Sequence, residues 1–252
     1  MGTMQQAIVP RDVCITVDME PDCPPFLWTW RGMVEGAPRL LDMLAEERVP
    51  ATCFTTGETA QRHPDAVARM VADGHELACH GMTHTPFPQL DPSRADWEIA
   101  TSAEILRRFA PITSFRAPNL MFPDAYLQIL ERHGFALDSS AAKYKLAYWR
   151  HAAPTRLTRI PASMTSSVIR LPARIRDPWL LALRAPVVLF VHPWEFVDLT
   201  RERLRLDCRF RTGTAALSDL RAVIQLFRKR GDVFRCMRDL APVCHPGAGQ
   251  QP

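Results

Sequence analysis

The stretch Ala72-Asp73-Gly74-His75-Glu76-Leu77-Ala78-Cys79-His80-Gly81-Met82-Thr83-His84-Thr85-Pro86 decides how the chain is read. Gly74 stops a helix, His75 to Cys79 has the apolar content of a short strand, and His80 and His84 stand four apart where that strand gives way to a loop. On a tight turn or helical segment, residues i and i+4 share a face, so both imidazoles can meet one cation, at about 2.0 to 2.1 Å if it is zinc. A bare H-x-x-x-H equally describes two unrelated surface histidines, and the rest of the chain has to choose between these readings.

Outward from this stretch the same rhythm of strand and helix recurs. Upstream, Asp12 to Val17 is a β-branched, apolar strand that runs into Asp18-Met19-Glu20 and then the turn residues Pro21, Asp22, Pro24 and Pro25. If the extended conformation persists, its period of two puts Asp18 and Glu20 on one face. A helix opens at Pro38 and ends near Val49, Val49 to Thr55 is a second strand, and Asp65 to Asp73 is the helix that Gly74 stops. Downstream, Asp91 and Pro92 begin a helix reaching Phe109, and Ile112 to Phe115 is a strand that delivers Arg116. A helix from Pro123 to His133 precedes the strand Phe135 to Leu137, which delivers Asp138. Residues 141 to 180 read as a long connection carrying a small β element, with apolar pieces at Leu157 to Pro161 and Val168 to Leu171. Pro186 to Val191 is a strand delivering His192, Thr214 to Arg230 is an amphipathic helix, and Val233 to Met237 is a last short strand.

This alternation predicts an α/β fold with a parallel sheet, open or closed into a barrel. Asp18, His80, Arg116, Asp138 and His192 each follow a predicted strand, and in a parallel barrel those exits open on one face, where active sites lie. Five chemically competent side chains at five strand exits are more telling together than any one of them.

At 252 residues, 47% hydrophobic and with a net charge of +4, the chain excludes disorder and fibrous classes. Its arginines are scattered through the second half without a nucleic-acid motif, so nucleic acid is not an expected partner. The seven cysteines are odd in number and contain no C-x-x-C, and the N-terminus lacks a signal-peptide pattern. Both point to reduced thiols and a cytoplasmic location. The longest apolar run, Trp179 to Val191, is interrupted by Arg184 and Pro186 and is too short to span a bilayer.

The ordered set Thr16-Val17-Asp18-Met19-Glu20, His80-Gly81-Met82-Thr83-His84, Phe115-Arg116-Ala117-Pro118-Asn119, Asp138-Ser139-Ser140 and Leu189-Phe190-Val191-His192-Pro193-Trp194-Glu195 resembles the five motifs of the polysaccharide deacetylase family, the NodB-like carbohydrate esterases. His-Pro-Trp-Glu and Arg209-Phe210-Arg211 look closest to the D-x-E branch linked to bacterial surface-polysaccharide clusters. The resemblance implies a distorted, incomplete (β/α) barrel in a single domain over residues 1–245; by its composition the stretch 246–252 reads as a disordered tail. It also implies metal-dependent removal of an N-acyl group, usually acetyl, from an N-acylated amino sugar or glycan, lipid-linked and nucleotide-linked forms included. Two alternatives stay open: hydrolysis of another C–N bond, such as a formamide or cyclic imide, and a catalytically inactive carbohydrate-binding protein. The sequence leaves the oligomeric state undetermined.

Role by role, the resemblance makes Asp18 the general base, Arg116 its ion-pair partner, His192 the general acid and the backbone N–H of Asn119 an oxyanion donor. His80, His84 and one carboxylate hold a divalent metal, zinc being expected and Co2+, Ni2+, Fe2+ or Mn2+ able to substitute. Many members carry two adjacent aspartates where this chain has Asp18-Met19, and a thioether is a poor ligand for a hard ion. The D-x-E spacing makes Glu20 the expected ligand, with Asp22 the alternative. Asp138 either orients His192 or only caps a strand, because Asp-Ser-Ser lacks the tryptophan usual in that motif. His75 matches a position that is usually structural. Trp28 and Trp30 either stack on a sugar or plug the barrel mouth, Trp194 and Glu195 shape the wall near His192, and Met164, Thr165 and Ser166 lie in the connection that would cross the strand-exit face.

Overall fold

The computed structural model describes residues 9–145 and 154–241. The proposed disordered tail, 246–252, lies outside the described residues.

Strand β1 (Asp12–Met19) is the axis of the molecule. It pairs in parallel with β2 (Ala51–Thr55) on one side and β7 (Val187–Val191) on the other, and its first residues also pair with β8 (Val233–Phe234). Beyond β2 the sheet continues through β3 (Glu76–Cys79), β4 (Ser114–Phe115), β5 (Leu137–Asp138) and β6 (Thr158–Arg159), every pair parallel. No ladder joins β6 to β7 among the described residues; an isolated bridge between Met164 and Leu189 spans that side. The sheet is therefore curled into an open half-barrel, the incomplete barrel expected from the sequence.

The strand period of two divides the side chains between two environments. Val13, Ile15, Val17 and Met19 of β1 join the large core between sheet and helices, together with Ala51 and Cys53 of β2 and Leu77 and Cys79 of β3. The alternate positions Cys14, Phe54, Ala78, Leu137 and Val188 pack inside the barrel. Below that apolar layer sits a buried polar knot, in which Glu76 accepts from Thr52 Oγ1 (2.7 Å), Ser114 Oγ (2.5 Å) and the Arg238 amide (2.9 Å). Above it, the same inward face continues as Thr16, Asp18, His80, Arg116 and His192. The barrel interior thus changes from apolar plug to polar site within one strand length.

The helices follow the expected order, with differences. A π-helical turn at Gly32–Gly36 leads directly into α1 (Ala37–Glu47), and α3 (Pro64–Ala72), α4 (Pro92–Leu106), α5 (Leu127–Arg132) and α9 (Thr214–Arg230) match the periodic segments. Gly36 admits the close approach of the 193–196 turn, since a Cβ there would lie 2.0 Å from the Pro193 carbonyl oxygen. Val168 to Leu171, read as part of a β element, instead begins in the second half of α6 (Ser166–Ile169) and runs past its end, and α7 (Ala173–Ala182) follows it. Two short helices carry too few turns for a periodic signal: α2 (Gly57–Arg62), whose Thr56 hydroxyl accepts from the Thr59 amide, and α8 (Leu206–Arg209).

The two ends of the chain are tied by Arg11 and Asp232, whose side chains meet at 2.8 Å, with a second bond from the Arg11 amide at 2.9 Å. Burial opposes the charge on Asp232, but the bonds from Arg11 and the Arg11 and Arg230 cations win and hold its carboxyl below the usual range. A depressed carboxylate contributes stability above its unfolded pKa of about 4, and that contribution is lost as pH falls through the lower folded value. Asp232→Asn is accordingly expected to cost about 3 kcal/mol in urea unfolding at pH 7, with the gap to wild type narrowing below about pH 4. An equal gap at both pH values would contradict this assignment.

Candidate metal centre and flanking acid-base residues

The end of β1, the exit of β3 and the loop after it converge at the open end of the half-barrel. Glu20 Oε2 lies 2.6 Å from His84 Nε2 and 3.2 Å from His80 Nε2, and the three ligand atoms fall within 4.8 Å of one another. All three side chains are buried. His80 Nδ1 lies 2.7 Å from the Arg116 carbonyl oxygen. That contact keeps a ring proton on Nδ1, so Nε2, which faces the centre, is the nitrogen left to ligate a metal in place of its own proton. The loop between the histidines reverses through positive φ at Gly81 (77°) and His84 (59°). A buried carboxylate holds it: Glu98 of α4 accepts from the Met82 amide (2.7 Å), the Thr83 amide (2.9 Å) and the Thr83 hydroxyl (2.6 Å). Two imidazoles and a carboxylate on one point are a donor set suited to a divalent metal. Burial alone would raise the Glu20 carboxyl, but the His84 and His192 charges and the hydrogen bonds from His80 and His84 hold it well below the ordinary range, in the ionised form a ligand needs.

Asp22, the alternative ligand, is committed elsewhere. It accepts from Thr29 Oγ1 (2.5 Å), the Arg31 amide (2.8 Å) and the Gly32 amide (2.8 Å), closing the loop after β1. Met19 points into the helix-side core and is fully buried. Glu20→Gln is thus expected to weaken metal affinity, with activity restored at raised metal concentration. Met19→Asp should not rescue that variant, because its carboxylate would enter the apolar core and destabilise the fold. Rescue at ordinary metal levels, read by metal analysis and turnover together, would show that the strand face is misassigned.

Asp18 and Arg116 form the second layer. Arg116, fully buried, donates to Asp18 Oδ1 (2.7 Å), Thr16 Oγ1 (2.8 Å) and Ser139 Oγ (3.0 Å), and its guanidinium lies 4.1 Å from the centre of the Phe54 ring. The other oxygen, Asp18 Oδ2, faces His192 Nε2 at 4.0 Å, and the same nitrogen lies 3.8 Å from Glu20 Oε1. Burial works against a charged His192, yet Glu20, Glu195 and Asp18 outweigh it and push its pKa up to about 9.

Asp138, left between orienting His192 and capping a strand, ends β5 and accepts from the Ser140 amide at 3.0 Å. Leu137 is the β5 residue that faces the barrel interior, so Asp138 faces the other way and pairs with its register neighbour Arg159 at 3.1 Å. His192 is held instead by Glu195, read from sequence only as part of the wall: Nδ1 lies 2.8 Å from Glu195 Oε1, and Glu195 Oε2 is 3.0 Å from Arg170 Nε. Glu195 also accepts from the His192 amide, closing the short turn Pro193–Phe196 on itself. Glu195→Gln, which removes the charge but keeps the shape, is expected to lower kcat about 10-fold or more with little change in KM. An unchanged kcat would deny Glu195 its role.

The tryptophans divide. Trp194 stacks on the His192 ring (centroids 4.8 Å apart, 21° between planes) and lines the cavity. Trp28 and Trp30 do not line it: Trp28 is exposed, and Trp30, half-buried, packs against the helix-side core and on His63 with the Arg62 guanidinium over it. Asn119 reaches the cavity in left-handed backbone (φ 58°, ψ 14°), and Thr165 and Ser166 line the opposite wall, whereas Met164 packs against the core. His75 is structural, its Nδ1 accepting from the Ala51 amide at 3.1 Å. The cavity measures about 220 Å³ and opens over Asp18, Glu20, His84 and His192.

Glu98, Arg170 and Tyr144, another lining residue, went unread. For Glu98 a signal exists, since it sits on the buried stripe of α4 with Ala95, Ile99 and Ser102, where an unpaired acid would be costly. Arg170 and Tyr144 lie in the long connection, where no periodicity marks them.

Fold and site together define a class of protein: a parallel half-barrel with a two-histidine, one-carboxylate metal site at its strand exits. Residues 9–137 match the Polysaccharide deacetylase family model, and the chain belongs to that family. A chitooligosaccharide deacetylase of Bradyrhizobium sp. is 36% identical over 101 residues, covering 40% of this chain and 41% of the relative. A peptidoglycan-N-acetylglucosamine deacetylase of Bacillus cereus is 31% identical over 120 residues, covering 48% of this chain and 38% of the relative. The matches therefore span less than half the length of these curated relatives. Among solved structures, a family 4 carbohydrate esterase from Streptomyces lividans in complex with acetate superposes with a TM-score of 0.61 at 17% identity, covering 89% of this chain and 91% of that one. A pseudoenzyme of the same esterase family from Bacillus anthracis gives a TM-score of 0.63 at 14% identity, covering 92% and 66%. At such identities the likeness is one of fold.

Proposed function

We propose that this chain is a metal-dependent hydrolase that removes an N-acyl group, acetyl in the first instance, from an amino-sugar-containing substrate. The observation that carries the reading is the meeting of Asp18 and His192 across the Glu20, His80 and His84 cluster, with His192 Nε2 at 4.0 Å from Asp18 and 3.8 Å from Glu20. A binding protein has no use for a base and an acid facing each other over a metal site. A divalent cation on Glu20, His80 and His84, zinc in our reading, supplies Lewis acidity toward the acyl oxygen and makes bound water more acidic.

The chain's own residues do the remainder. Asp18, oriented by Arg116, takes the proton of the attacking water. The Asn119 N–H faces the developing oxyanion. His192, held by Glu195, passes its Nε2 proton to the leaving nitrogen as the C–N bond breaks, so amide and water leave as carboxylic acid and amine. The cysteines described are all free thiols, which supports a reducing, cytoplasmic setting, and no helix among the described residues is long and apolar enough to cross a membrane.

Incubating metal-reconstituted protein with a panel of N-acetyl and N-formyl amino sugars, and measuring released acetate and formate, tests the proposal. Acetate supports it, formate alone moves the activity to another C–N bond, and silence across metals and substrates returns the chain to the binding-protein reading.

A further inference from the structure

We infer that the rim of the cavity beside Phe26 and Arg205 is a docking surface for an anionic lipid bilayer, so that the site opens at a membrane surface. Two segments build this rim. One is the loop after β1, residues 23–28, and the other runs from 199 to 210 through α8. They are packed together: Cys23, Leu199 and Leu204 share one buried cluster, against which Leu27 and Cys208 pack. Arg31 reaches across to Glu202 at 3.4 Å. Phe26, Arg205 and Cys208 all line the cavity, which places the rim at its mouth.

With its small apolar residues turned inward, this rim turns its large ones out. Phe26 is 47% exposed, Trp28 56% and Leu206 68%. Nothing in the fold requires this exposure, for the same loops have a buried cluster to fill, and three large apolar groups on one rim are the kind of exposure that marks an interaction surface. Charge selects the partner. Residues 200–211 contain five arginines against Glu202 and Asp207. The two acids are neutralised, Glu202 by Arg31 and Asp207 by Arg205, and Arg211 is paired with Asp219. Arg201 and Arg203 are exposed, and their side chains make no hydrogen bond or ion pair among the described residues; Asp198 faces Arg201 through space. Aromatic and leucine side chains beside arginines held in no ion pair are what an interface of acyl chains and anionic headgroups accepts, the former entering the boundary and the latter meeting the phosphates. A soluble polyanion would use the arginines but leave Phe26, Trp28 and Leu206 without a role.

The inference goes beyond the proposed reaction, and its test reads no turnover, so either can fail alone. The full chain is sedimented with extruded vesicles of phosphatidylcholine containing about 30% phosphatidylglycerol, with vesicles of phosphatidylcholine alone, and with the anionic vesicles at high salt. Binding is expected to the anionic vesicles at low salt and to be lost in the other two conditions. Arg201→Glu/Arg203→Glu should weaken it about 25-fold or more, at about fivefold per arginine, and Trp28→Ser/Leu206→Ser about tenfold or more. All four side chains are exposed, so unfolding midpoint and metal content should not move. Two controls away from the rim, Arg108→Glu and Trp179→Ser, both exposed, should bind as wild type does. Failure of the wild type to sediment with anionic vesicles, or equal losses in the control variants, would overturn the inference. So would a Trp28→Ser/Leu206→Ser variant that keeps full vesicle binding, which would make the rim a polyanion surface instead.

Discussion

Asp18→Asn is expected to lower kcat by at least 10²-fold while metal content and fold are retained. In the proposed mechanism Asp18 takes a proton and does not hold the metal: one oxygen is committed to Arg116 at 2.7 Å, and the other faces His192 at 4.0 Å. An amide in its place keeps the size and one acceptor for Arg116, but has no basic oxygen to offer a water. The loss should therefore fall on kcat with KM little changed. Calorimetric unfolding and metal analysis on the same preparation distinguish this from a folding defect, because removing one partner of a buried pair also costs stability. Near wild-type turnover in a folded, metal-loaded Asp18→Asn protein would remove Asp18 from the mechanism.

A second large effect is expected from His80→Ala/His84→Ala. Two of three ligands vanish, and Glu20 alone cannot hold a first-row ion in competition with water. Stoichiometric metal should fall to background and turnover with it. The barrel itself should persist, because the histidines sit above the apolar layer of Cys14, Phe54, Ala78 and Val188 and take no part in it. Retention of one metal per chain in this variant would place the metal elsewhere in the molecule.

The parts of the site visible in the sequence are those built on strand periodicity and chain order. Asp18 and Glu20 share a face because β1 stays extended through Met19, and His80, Arg116 and His192 arrive together because three parallel strands end at one level. The strand ends were harder to place, and one of them mattered. Reading β5 as ending at Leu137 made Asp138 a free strand exit, whereas the ladder includes Asp138 and fixes its direction by pairing with Arg159. The contact with His192 that was one of two roles open to Asp138 is made by Glu195, three residues after the histidine that it holds. That contact depends on a tight turn and on Arg170, the residue that follows α6, a helix of four residues without a readable period. Trp28 and Trp30 show a similar limit, since the side chains of a loop point where its closing hydrogen bonds send them, and those of Asp22 join residues nine and ten apart, which no strand or helix period marks.

The proposed chemistry and the metal cluster stand or fall together, and a single titration joins them. Metal is stripped from the wild-type protein with a chelator, zinc is added back in fractions of an equivalent, and acyl release from an N-acyl amino sugar is followed at each step. If Glu20, His80 and His84 form the catalytic centre, activity rises in proportion to zinc and levels off at about one equivalent per chain. Activity that survives the chelator, or that shows no dependence on the added metal, would contradict the account.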